Sequence, residues 1–555
     1  MTRTLHGLGV STGEGAGPVA RLAPAPVLPA EAPAVSDAEA EATRAMDALG
    51  TVASELERRA AEVGGAARDV LSAQALIARD PVLAEGIRAR VRGGQAATHA
   101  VAEAFAEHRE MLESLGGYLA ERAADLDDLR DRALAVLLGL PMPGVPESDH
   151  PFVLVAVDLA PADTAMLDAA SVLAIVTERG GPTGHTAILA KQLAIPAVTA
   201  CKAASTLRDG DVVLVDGTSG EVVVEPGEER IAEAEQRRRE TVRRRQTSTG
   251  PGRTADGRSI PLLVNIGGPG ELEAAASAGE GVGLLRTEFL FLDRAAAPTL
   301  EEQRDAYARI FSAFGARRVV VRTLDVGADK PLPYLPHPDE PNPALGVRGL
   351  RLARDAPELL DTQLRAIAQA ARDSEADVWV MAPMVATADE AERFVDAARE
   401  HRLGKAGVMI EVPSVALTAE EVLSRVDFAS IGTNDLAQYT LAADRLAGEL
   451  ADLLDPWQPA LLRLIELVGL AGAELGRPIG VCGEAAGDPL LAPVLVGLGI
   501  TSLSMVPASV PDVRAALAER SYEDCRDLAR AARDAPSATE ARAAVMHSAR
   551  IPVRS

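Results

Sequence analysis

The chain has 555 residues, 47% of them hydrophobic, which is enough for two to four domains with cores of their own. Its formal net charge of −25 argues against nucleic-acid binding, which depends on neutralising phosphates with lysine and arginine. Three widely spaced cysteines indicate neither a disulfide framework nor a zinc site, and no signal peptide or membrane span is apparent, so we expect a cytoplasmic protein.

The N-terminal region predicts an α/β domain in two pieces. Residues 1–22 read as two strands joined by a glycine-rich turn. The glycines of that turn are Gly13, Gly15 and Gly17. Short β-branched runs recur from residue 152 to residue 224, with helical connections between some of them. We therefore expect one α/β domain built from residues 1–33 and 141–226.

Residues 34–140 have a different pattern, in which helix formers dominate and apolar residues recur every three or four positions. The breaks in this pattern fall at Gly64-Gly65, Asp80-Pro81, Gly93-Gly94 and Gly116-Gly117. They predict about four antiparallel helices, inserted into the α/β domain as a subdomain. The charged residues 227–252 predict a helical linker after that domain.

Residues 171–193 place a histidine at the start of a predicted helix. An apolar, strand-like run ends at Val176, two glycines and a proline break the chain, and a helix-forming run begins at Thr186. The free N–H groups of a helix start favour an anion. His185 is therefore a candidate base, metal ligand or phosphate acceptor, and this segment alone leaves the three roles open.

The region from Arg253 onward predicts a (β/α)8 TIM barrel over residues 253–540, followed by a tail at 541–555. Eight apolar strand candidates alternate there with helical stretches, which is the pattern of that fold. The candidates are Ile260–Ile266, Gly281–Leu285, Arg318–Leu324, Asp377–Val385, Gly407–Val412, Asp427–Ile431, Pro478–Val481 and Ile500–Val506.

Charged side chains follow several of these strands, at the end of the barrel where reacting groups lie. Arg286, Arg322 and Arg445 form a predicted cationic cluster, and guanidinium groups match phosphate and carboxylate in geometry. Glu411 and Asp435 are hard oxygen donors, and two carboxylates with substrate oxygens commonly hold Mg²⁺. Together they predict a site for a small phosphorylated carboxylic acid bound with a divalent cation.

Cys482 follows the seventh strand candidate. A lone cysteine is more often a small buried apolar residue than a reactive one. At this end of a barrel it is also a candidate proton donor to a carbanion or enolate, and the residues alone leave both readings open.

Six segments resemble the signatures of the phosphoenolpyruvate-utilising enzyme family. They are GGPTGHTAILAK at 180–191, GVGLLRTEFLF at 281–291, VRTLDVGADK at 321–330, MIEVPS at 409–414, SIGTNDLAQYTL at 430–441 and VCGEAAGD at 481–488. They follow the family's order and span most of the chain. The chain has no room for the large ATP-binding domain of some relatives, so within the family it resembles the phosphoenolpyruvate-protein phosphotransferases of the sugar phosphotransferase system.

The resemblance implies a two-step relay of a phosphoryl group. Nε2 of His185 would attack the phosphorus of phosphoenolpyruvate, and Cys482 would protonate the departing pyruvate enolate. Phospho-His185 would then pass the group to a histidine of the phosphocarrier protein HPr. The implied substrate-binding residues are Arg286, Arg322, Asn434, Asp435, Arg445, Lys330 and Arg348, and the implied Mg²⁺ ligands are Glu411 and Asp435.

The resemblance further implies that HPr docks on the subdomain at 34–140, that the linker is a hinge, and that the barrel forms a homodimer. Two alternatives remain: a phosphotransferase of the nitrogen-regulatory branch that feeds another HPr-like carrier, and a non-catalytic regulator that binds partners according to the phosphorylation of His185. The family often has serine where this chain has Gly184, so slower transfer is expected if that hydroxyl orients the imidazole.

Overall fold

The computed structural model describes residues 3–23, 25–29, 35–62, 65–115, 123–140, 142–146, 148, 150–159, 167, 171–181, 185–292, 294–328, 332–335, 340–445, 447, 450 and 452–549. The chain forms two compact units, residues 1–238 and 239–555. None of the helices in these described ranges is long and apolar enough to cross a membrane.

The first unit contains a mixed sheet of eight described strands, in the order β1-β8-β7-β3-β4-β5-β6-β2. The strands are β1 Arg3–His6, β2 Leu8–Ser11, β3 Glu14–Arg21, β4 Phe152–Ala156, β5 Val172–Thr177, β6 Ala197–Thr199, β7 Val212–Asp216 and β8 Glu221–Val224. Strands β3 to β6 are parallel neighbours, and the other pairs are antiparallel. Every residue of β4 and β5 is buried, as expected for parallel strands covered on both faces.

The predicted glycine-rich turn near the N-terminus is wrong in extent. Gly13 has the backbone of a turn, with φ at 114°, but Gly15 and Gly17 lie inside β3. A Cβ added to Gly15 would lie 2.1 Å from the carbonyl oxygen of Leu173. Glycine is needed there because two backbones approach closely, and close approach selects glycine as strongly as a turn does.

Helices occupy the segment between β3 and β4. They are α1 Ala38–Glu62, α2 Gly65–Ala78, α3 Pro81–Arg92, α4 Ala97–Leu115 and α5 Ala123–Leu138. The described residues thus contain five helices where the sequence predicted about four. The breaks at Asp80-Pro81 and Gly93-Gly94 are confirmed, whereas Gly64 and Gly116-Gly117 lie outside the described residues. A buried cluster of leucine, valine, alanine and Phe105 joins these helices.

The predicted linker is helical, as α7 Glu228–Thr247, after the short helix α6 His185–Leu193. The division between the two units falls inside α7, after Arg238. In the first unit, Ala234 of α7 packs with Leu214 and Val223 of the sheet. In the second unit, the guanidinium of Arg245 binds the carboxylate of Asp512 at 2.6 Å.

The second unit is a closed barrel of eight parallel strands, and the predicted TIM barrel is confirmed. The strands are β9 Leu262–Ile266, β10 Gly281–Leu285, β11 Arg318–Arg322, β12 Asp377–Ala382, β13 Ala406–Ile410, β14 Ala429–Ile431, β15 Ile479–Val481 and β16 Ser502–Met505. The run Gly281–Leu285 matches at both ends, and no other predicted strand end differs from the observed one by more than three residues.

Helices surround the barrel and share one continuous apolar core with its strands. They are α8 Leu272–Ala278, α9 Leu300–Phe314, α10 Pro357–Arg372, α11 Ala388–Glu400, α12 Pro413–Leu417, α13 Ala419–Leu423, α14 Thr433–Leu441, α15 Pro459–Leu475, α16 Ala492–Gly497, α17 Val510–Ala518, α18 Tyr522–Asp534 and α19 Ala538–Ala549. Local signals define several of their starts. Thr299 and Glu302, for example, form a reciprocal capping box at the start of α9.

Candidate active site

The carboxyl ends of the barrel strands bring most of the predicted site residues to one rim. Arg286 directly follows β10, and Arg322 is the last residue of β11. Glu411 directly follows β13, Asp435 lies in the first turn of α14 after β14, and Cys482 directly follows β15. Because the strands are parallel, residues from separate parts of the sequence face the same end of the barrel.

Arg322 is held by two carboxylates. Its Nη2 donates to Oε1 of Glu288 at 2.8 Å, and its Nη1 lies 3.0 Å from Oδ2 of Asp325. Burial by itself lowers the pKa of Arg322, but the charges of Glu288 and Asp325 outweigh it and hold the pKa above its usual value. The guanidinium is therefore a permanent positive charge in a fixed orientation.

Arg348 links Asp325, which follows β11, to Asp435, which follows β14. Its Nη2 donates to Oδ2 of Asp325 at 3.0 Å, and its Nη1 donates to Oδ1 of Asp435 at 3.2 Å. The pKa of Arg348 is pushed down by burial and, more strongly, up by these two carboxylates. Nη1 of Arg445 lies 3.7 Å from the other oxygen of Asp435. Alternating charges thus run from Glu288 to Arg445 across the rim.

Glu411 is buried, with 1% of its surface exposed. Its Oε2 accepts the backbone N–H of Met384 at 2.9 Å, from a residue whose φ is 57°. A Cβ added to Gly432 would lie 2.8 Å from Oε1 of Glu411, so only glycine leaves room for the carboxylate there. Burial, followed by the charges of Asp435 and Asp325, raises the pKa of Glu411 to about 8.

The residues at Glu411 and Asp435 fit a divalent cation. The buried carboxylates of Glu411, Asp435 and Asp325 repel one another. A cation between Glu411 and Asp435 would relieve that repulsion. Within the described ranges, no cluster of three or more histidine, cysteine, aspartate or glutamate side chains is arranged to hold a metal ion. Two protein carboxylates suit Mg²⁺, which is usually bound by one or two carboxylates with water and substrate oxygens.

Two more predicted binding residues, Arg286 and Asn434, lie at the edge of the rim. Arg286 is exposed, and its backbone N–H donates to Ile266 at 2.9 Å. Asn434 and Glu484 exchange two hydrogen bonds, from Nδ2 to Oε1 at 3.4 Å and from the backbone N–H of Glu484 to Oδ1 at 3.3 Å. Lys330 lies outside the described residues.

Cys482 is 2% exposed and lies at the rim, directly after β15. Its Sγ donates to the carbonyl oxygen of Ile431 at 3.6 Å. Burial raises the pKa of the thiol to about 11, against a hydrogen bond from Ser430 that lowers it. A thiol that keeps its proton at neutral pH is in the right state to donate it.

Two buried residues that support the rim have no predicted role in the sequence analysis. Glu288 accepts both Arg322 and the backbone N–H of Asp325, the latter at 3.1 Å. Gln363 of α10 accepts the N–H of Leu324 at 2.9 Å and donates to Thr287 at 3.1 Å. The sequence signal for Gln363 is an amide on the otherwise apolar face of a helix, and Glu288 stands two residues after Arg286.

The helix predicted after the histidine is confirmed, because α6 begins at His185 and runs for nine residues. Strand β5 ends at Thr177, residues 182–184 lie outside the described part of the chain, and so does the side chain of His185. The neighbouring Thr186 donates to Oδ1 of Asp158 at 3.4 Å. The backbone therefore agrees with a histidine at a helix start.

Three family models match the chain, all described as parts of phosphoenolpyruvate-utilising enzymes. The N-terminal model matches residues 6–122, the mobile-domain model matches residues 148–220, and the phosphoenolpyruvate-binding domain model matches residues 241–522. The last covers the barrel and every rim residue described above. The mobile-domain match includes His185.

Curated relatives match along almost their full length. A phosphoenolpyruvate-protein phosphotransferase of Streptomyces coelicolor is 54% identical over 553 residues, covering 98% of this chain and 99% of the relative. Proteins with the same name from Haloferax volcanii and Bacillus subtilis are 42% and 37% identical, over 95% and 94% of this chain and 96% of each relative. Motifs, fold and full-length identity agree, and the chain belongs to the family of phosphoenolpyruvate-protein phosphotransferases.

Proposed function

We propose that this enzyme transfers the phosphoryl group of phosphoenolpyruvate to His185 and then to the phosphocarrier protein HPr, releasing pyruvate. We further propose that it acts in the cytoplasm and drives the uptake of sugar. The observation that carries the proposal is the row of alternating charges from Glu288 to Arg445 at the barrel rim. That row fixes guanidinium groups for an anion and keeps carboxylates beside them for a cation.

Phosphoenolpyruvate is a phosphate ester with a carboxylate, so it needs cationic groups at two places. Arg286, Arg322 and Arg445 supply them, and Asn434 adds an amide donor. Arg348 and Asp435 assist, with Arg348 orienting the carboxylate of Asp435 at 3.2 Å. Lys330 assists from the segment beside Arg322 in the sequence.

Glu411 and Asp435 would hold Mg²⁺, which when bound neutralises charge on the phosphoryl oxygens. Glu411 is fixed for this by the N–H of Met384 and by the space beside Gly432. Asp435 is fixed by Arg348 and Arg445. The two carboxylates therefore need no rearrangement when substrate arrives.

The chemistry is divided between two residues. Nε2 of His185 attacks the phosphorus, a P–N bond forms, and the bond between phosphorus and the enol oxygen breaks with its electrons on that oxygen. The enolate then takes the proton of the Cys482 thiol at carbon, which gives pyruvate. Phospho-His185 finally passes the phosphoryl group to a histidine of HPr.

The partner surfaces belong to the same proposal. Leu76 and Val82, on consecutive helices of the inserted segment, are 73% and 69% exposed and suit the docking of HPr. Leu417 and Leu470, on α12 and α15, are 67% and 61% exposed and suit a homodimer formed through the barrel. The helix α7, inside which the two units divide, suits a hinge.

Phosphate transfer from labelled phosphoenolpyruvate tests the function. With Mg²⁺, the wild-type enzyme is expected to take up one acid-labile ³²P per chain, and His185→Ala is expected to take up none. His150→Ala, a matched change at an exposed histidine, should label normally. Uptake by His185→Ala equal to that of the wild type would refute the assignment. Offering HPr and a nitrogen-branch carrier separately then identifies the carrier by the rate at which each removes the label.

A further inference from the structure

A buried amide lies behind the rim and bonds to the chain after two neighbouring strands. Gln363, on α10, is 1% exposed. Its Oε1 accepts the backbone N–H of Leu324, which follows β11, at 2.9 Å. Its Nε2 donates to the hydroxyl of Thr287, which follows β10, at 3.1 Å. Burying an amide is costly unless its polar atoms are bonded, so a glutamine in this place needs a physical reason.

The sequence positions of the two partners suggest that reason. Thr287 directly precedes Glu288, and Leu324 directly precedes Asp325. Glu288 and Asp325 are the two carboxylates that hold the guanidinium of Arg322. The amide is thus bonded to the neighbour of each carboxylate, and it fixes the distance between the two backbone segments that carry them.

The hydroxyl of Thr287 extends the contact to the arginine itself. It donates to the backbone oxygen of Arg322 at 3.0 Å. A hydroxyl has a single proton, so its oxygen has only lone pairs left for Gln363, whose Nε2 must donate to it. The hydrogen bonds therefore have one direction, from the amide through the hydroxyl to the end of β11.

Tyr307 of α9 accepts the second proton of the amide. The Nε2 of Gln363 donates to the phenol oxygen at 3.0 Å. Burial raises the pKa of Tyr307 above its usual value, so the phenol stays neutral. The amide accepts one hydrogen bond and donates two, and turning it over would point its N–H groups at the N–H of Leu324. Its orientation is therefore fixed by the partners around it.

We propose that Gln363 is a positioning residue for Arg322, and that its buried network with Tyr307 and Thr287 sets the affinity for phosphoenolpyruvate. The proposal rests on the proposed function, in which Arg322 binds that substrate. The network holds the backbone beside the two carboxylates, and the carboxylates hold the guanidinium. An arginine that binds the substrate both before and during the reaction contributes to binding throughout, so loosening it raises KM more than it lowers kcat.

Steady-state pyruvate release in the presence of HPr separates binding from reaction. Gln363→Met keeps the length of the side chain without its amide, and Thr287→Val replaces the hydroxyl by a methyl group. Each leaves buried polar groups unpaired, so KM for phosphoenolpyruvate is expected to rise about tenfold, with kcat within about threefold of the wild type. Thr287→Ser keeps the hydroxyl and should restore the wild-type KM. Tyr307→Phe removes one acceptor at the far end of the network and should raise KM about twofold.

Leu528→Ala is the control for a loss of stability alone. Leu528 is buried in α18, a helix that carries none of the rim residues. Its truncation leaves a cavity in the core, so the midpoint of thermal unfolding should fall at least as far as in Thr287→Val. KM for phosphoenolpyruvate should stay at its wild-type value.

Amide hydrogen exchange tests the network without substrate, and therefore independently of the proposed function. In Gln363→Met the N–H of Leu324 loses its acceptor. Exchange of one amide in a peptide of residues 319–326, followed by mass spectrometry, is expected to be about tenfold faster than in the wild type. A peptide of residues 459–475, from α15, shows how far global unfolding contributes and should be affected less. Thr287→Ser should exchange as the wild type does.

Two results would overturn the proposal. If Gln363→Met and Thr287→Val keep the wild-type KM, or if Leu528→Ala raises KM equally, the network does not position the arginine. If Gln363→Met speeds exchange no more at 319–326 than in α15, the amide does not hold this strand end. A wild-type enzyme that takes up no ³²P would refute the proposed function instead, and the exchange rates would still decide what Gln363 holds.

Discussion

The barrel rim and the α/β part of the first unit differ in the polar groups that they bury. At the rim, Arg322, Arg348 and Asp435 are buried and hold one another in place. In the sheet of the first unit and in α6, the described buried polar side chains are neutral hydroxyls. They are Ser11, Thr177, Thr186 and Thr199. A fixed set of charges suits a substrate that must be bound and polarised. In the proposed relay, His185 only receives the phosphoryl group and gives it up again, which does not call for such a set of fixed charges.

Removing one charge from the rim should have the largest effect. Asp435→Asn keeps the shape of the side chain but leaves Arg348 and Arg445 without its negative charge. We expect pyruvate release to fall by about 10²–10³-fold, the size found when one fixed electrostatic group is lost from an active site. A coupled assay of pyruvate measures it.

Asp452→Asn is the matched change at an exposed aspartate in the same unit, and it should keep the wild-type rate. A rate for Asp435→Asn within fivefold of the wild type would show that the rim does not depend on fixed charge.

The rim should also make the metal-free barrel less stable as pH rises. The folded pKa of Glu411 is about 8, above its ordinary value of 4.5, so the folded chain keeps a proton that the unfolded chain releases. Stability that is present at pH 5 is then lost as pH approaches 8, by on the order of 3 kcal/mol. Calorimetry of the metal-free enzyme at several pH values measures this loss.

Glu411→Gln cannot ionise, so the difference between its pH profile and that of the wild type isolates the contribution of Glu411. Mg²⁺ should reduce the loss in the wild type more than in the variant. Parallel pH profiles for the two proteins would contradict the assignment.

A smaller effect is expected where the support of an arginine is weakened and the arginine remains. Glu288→Gln keeps an acceptor for Arg322 but removes the charge that orients it. We expect KM for phosphoenolpyruvate to rise about tenfold, with a smaller change in kcat, because a hydrogen bond to a charged group is worth roughly 1.5–3 kcal/mol.

Glu301→Gln changes an exposed glutamate in α9 and serves as the control. If kcat falls and KM does not change, Glu288 acts on the reaction and not on binding.

The smallest effect should come from the scaffold alone. Thr299→Ala removes the exposed cap of α9, whose hydroxyl accepts the N–H of Glu302 at 3.2 Å. The free energy of unfolding should fall by about 1 kcal/mol, with KM and kcat unchanged. Thr299→Ser keeps the cap and should retain the wild-type stability. A kinetic change in Thr299→Ala without one in Thr299→Ser would mean that the rim depends on this helix start.

The sequence predicted the elements whose signals are local. Alternating apolar runs marked all eight barrel strands, and the residues that follow them marked the rim. The roles of Glu288 and Gln363 were not predicted, because they depend on partners 34 and 39 residues away in the sequence, Arg322 and Leu324. Gly15 was misread for the same reason, since the backbone it touches belongs to Leu173.

Both tryptophans of the chain, Trp379 and Trp457, belong to the second unit. Trp379 stacks under the guanidinium of Arg318 at 3.9 Å, and Trp457 is fully buried. Fluorescence excited at the red edge of the aromatic band will therefore report on the barrel alone, whereas circular dichroism will report on both units. The natural sequence thus allows the melting of the two units to be distinguished without a label.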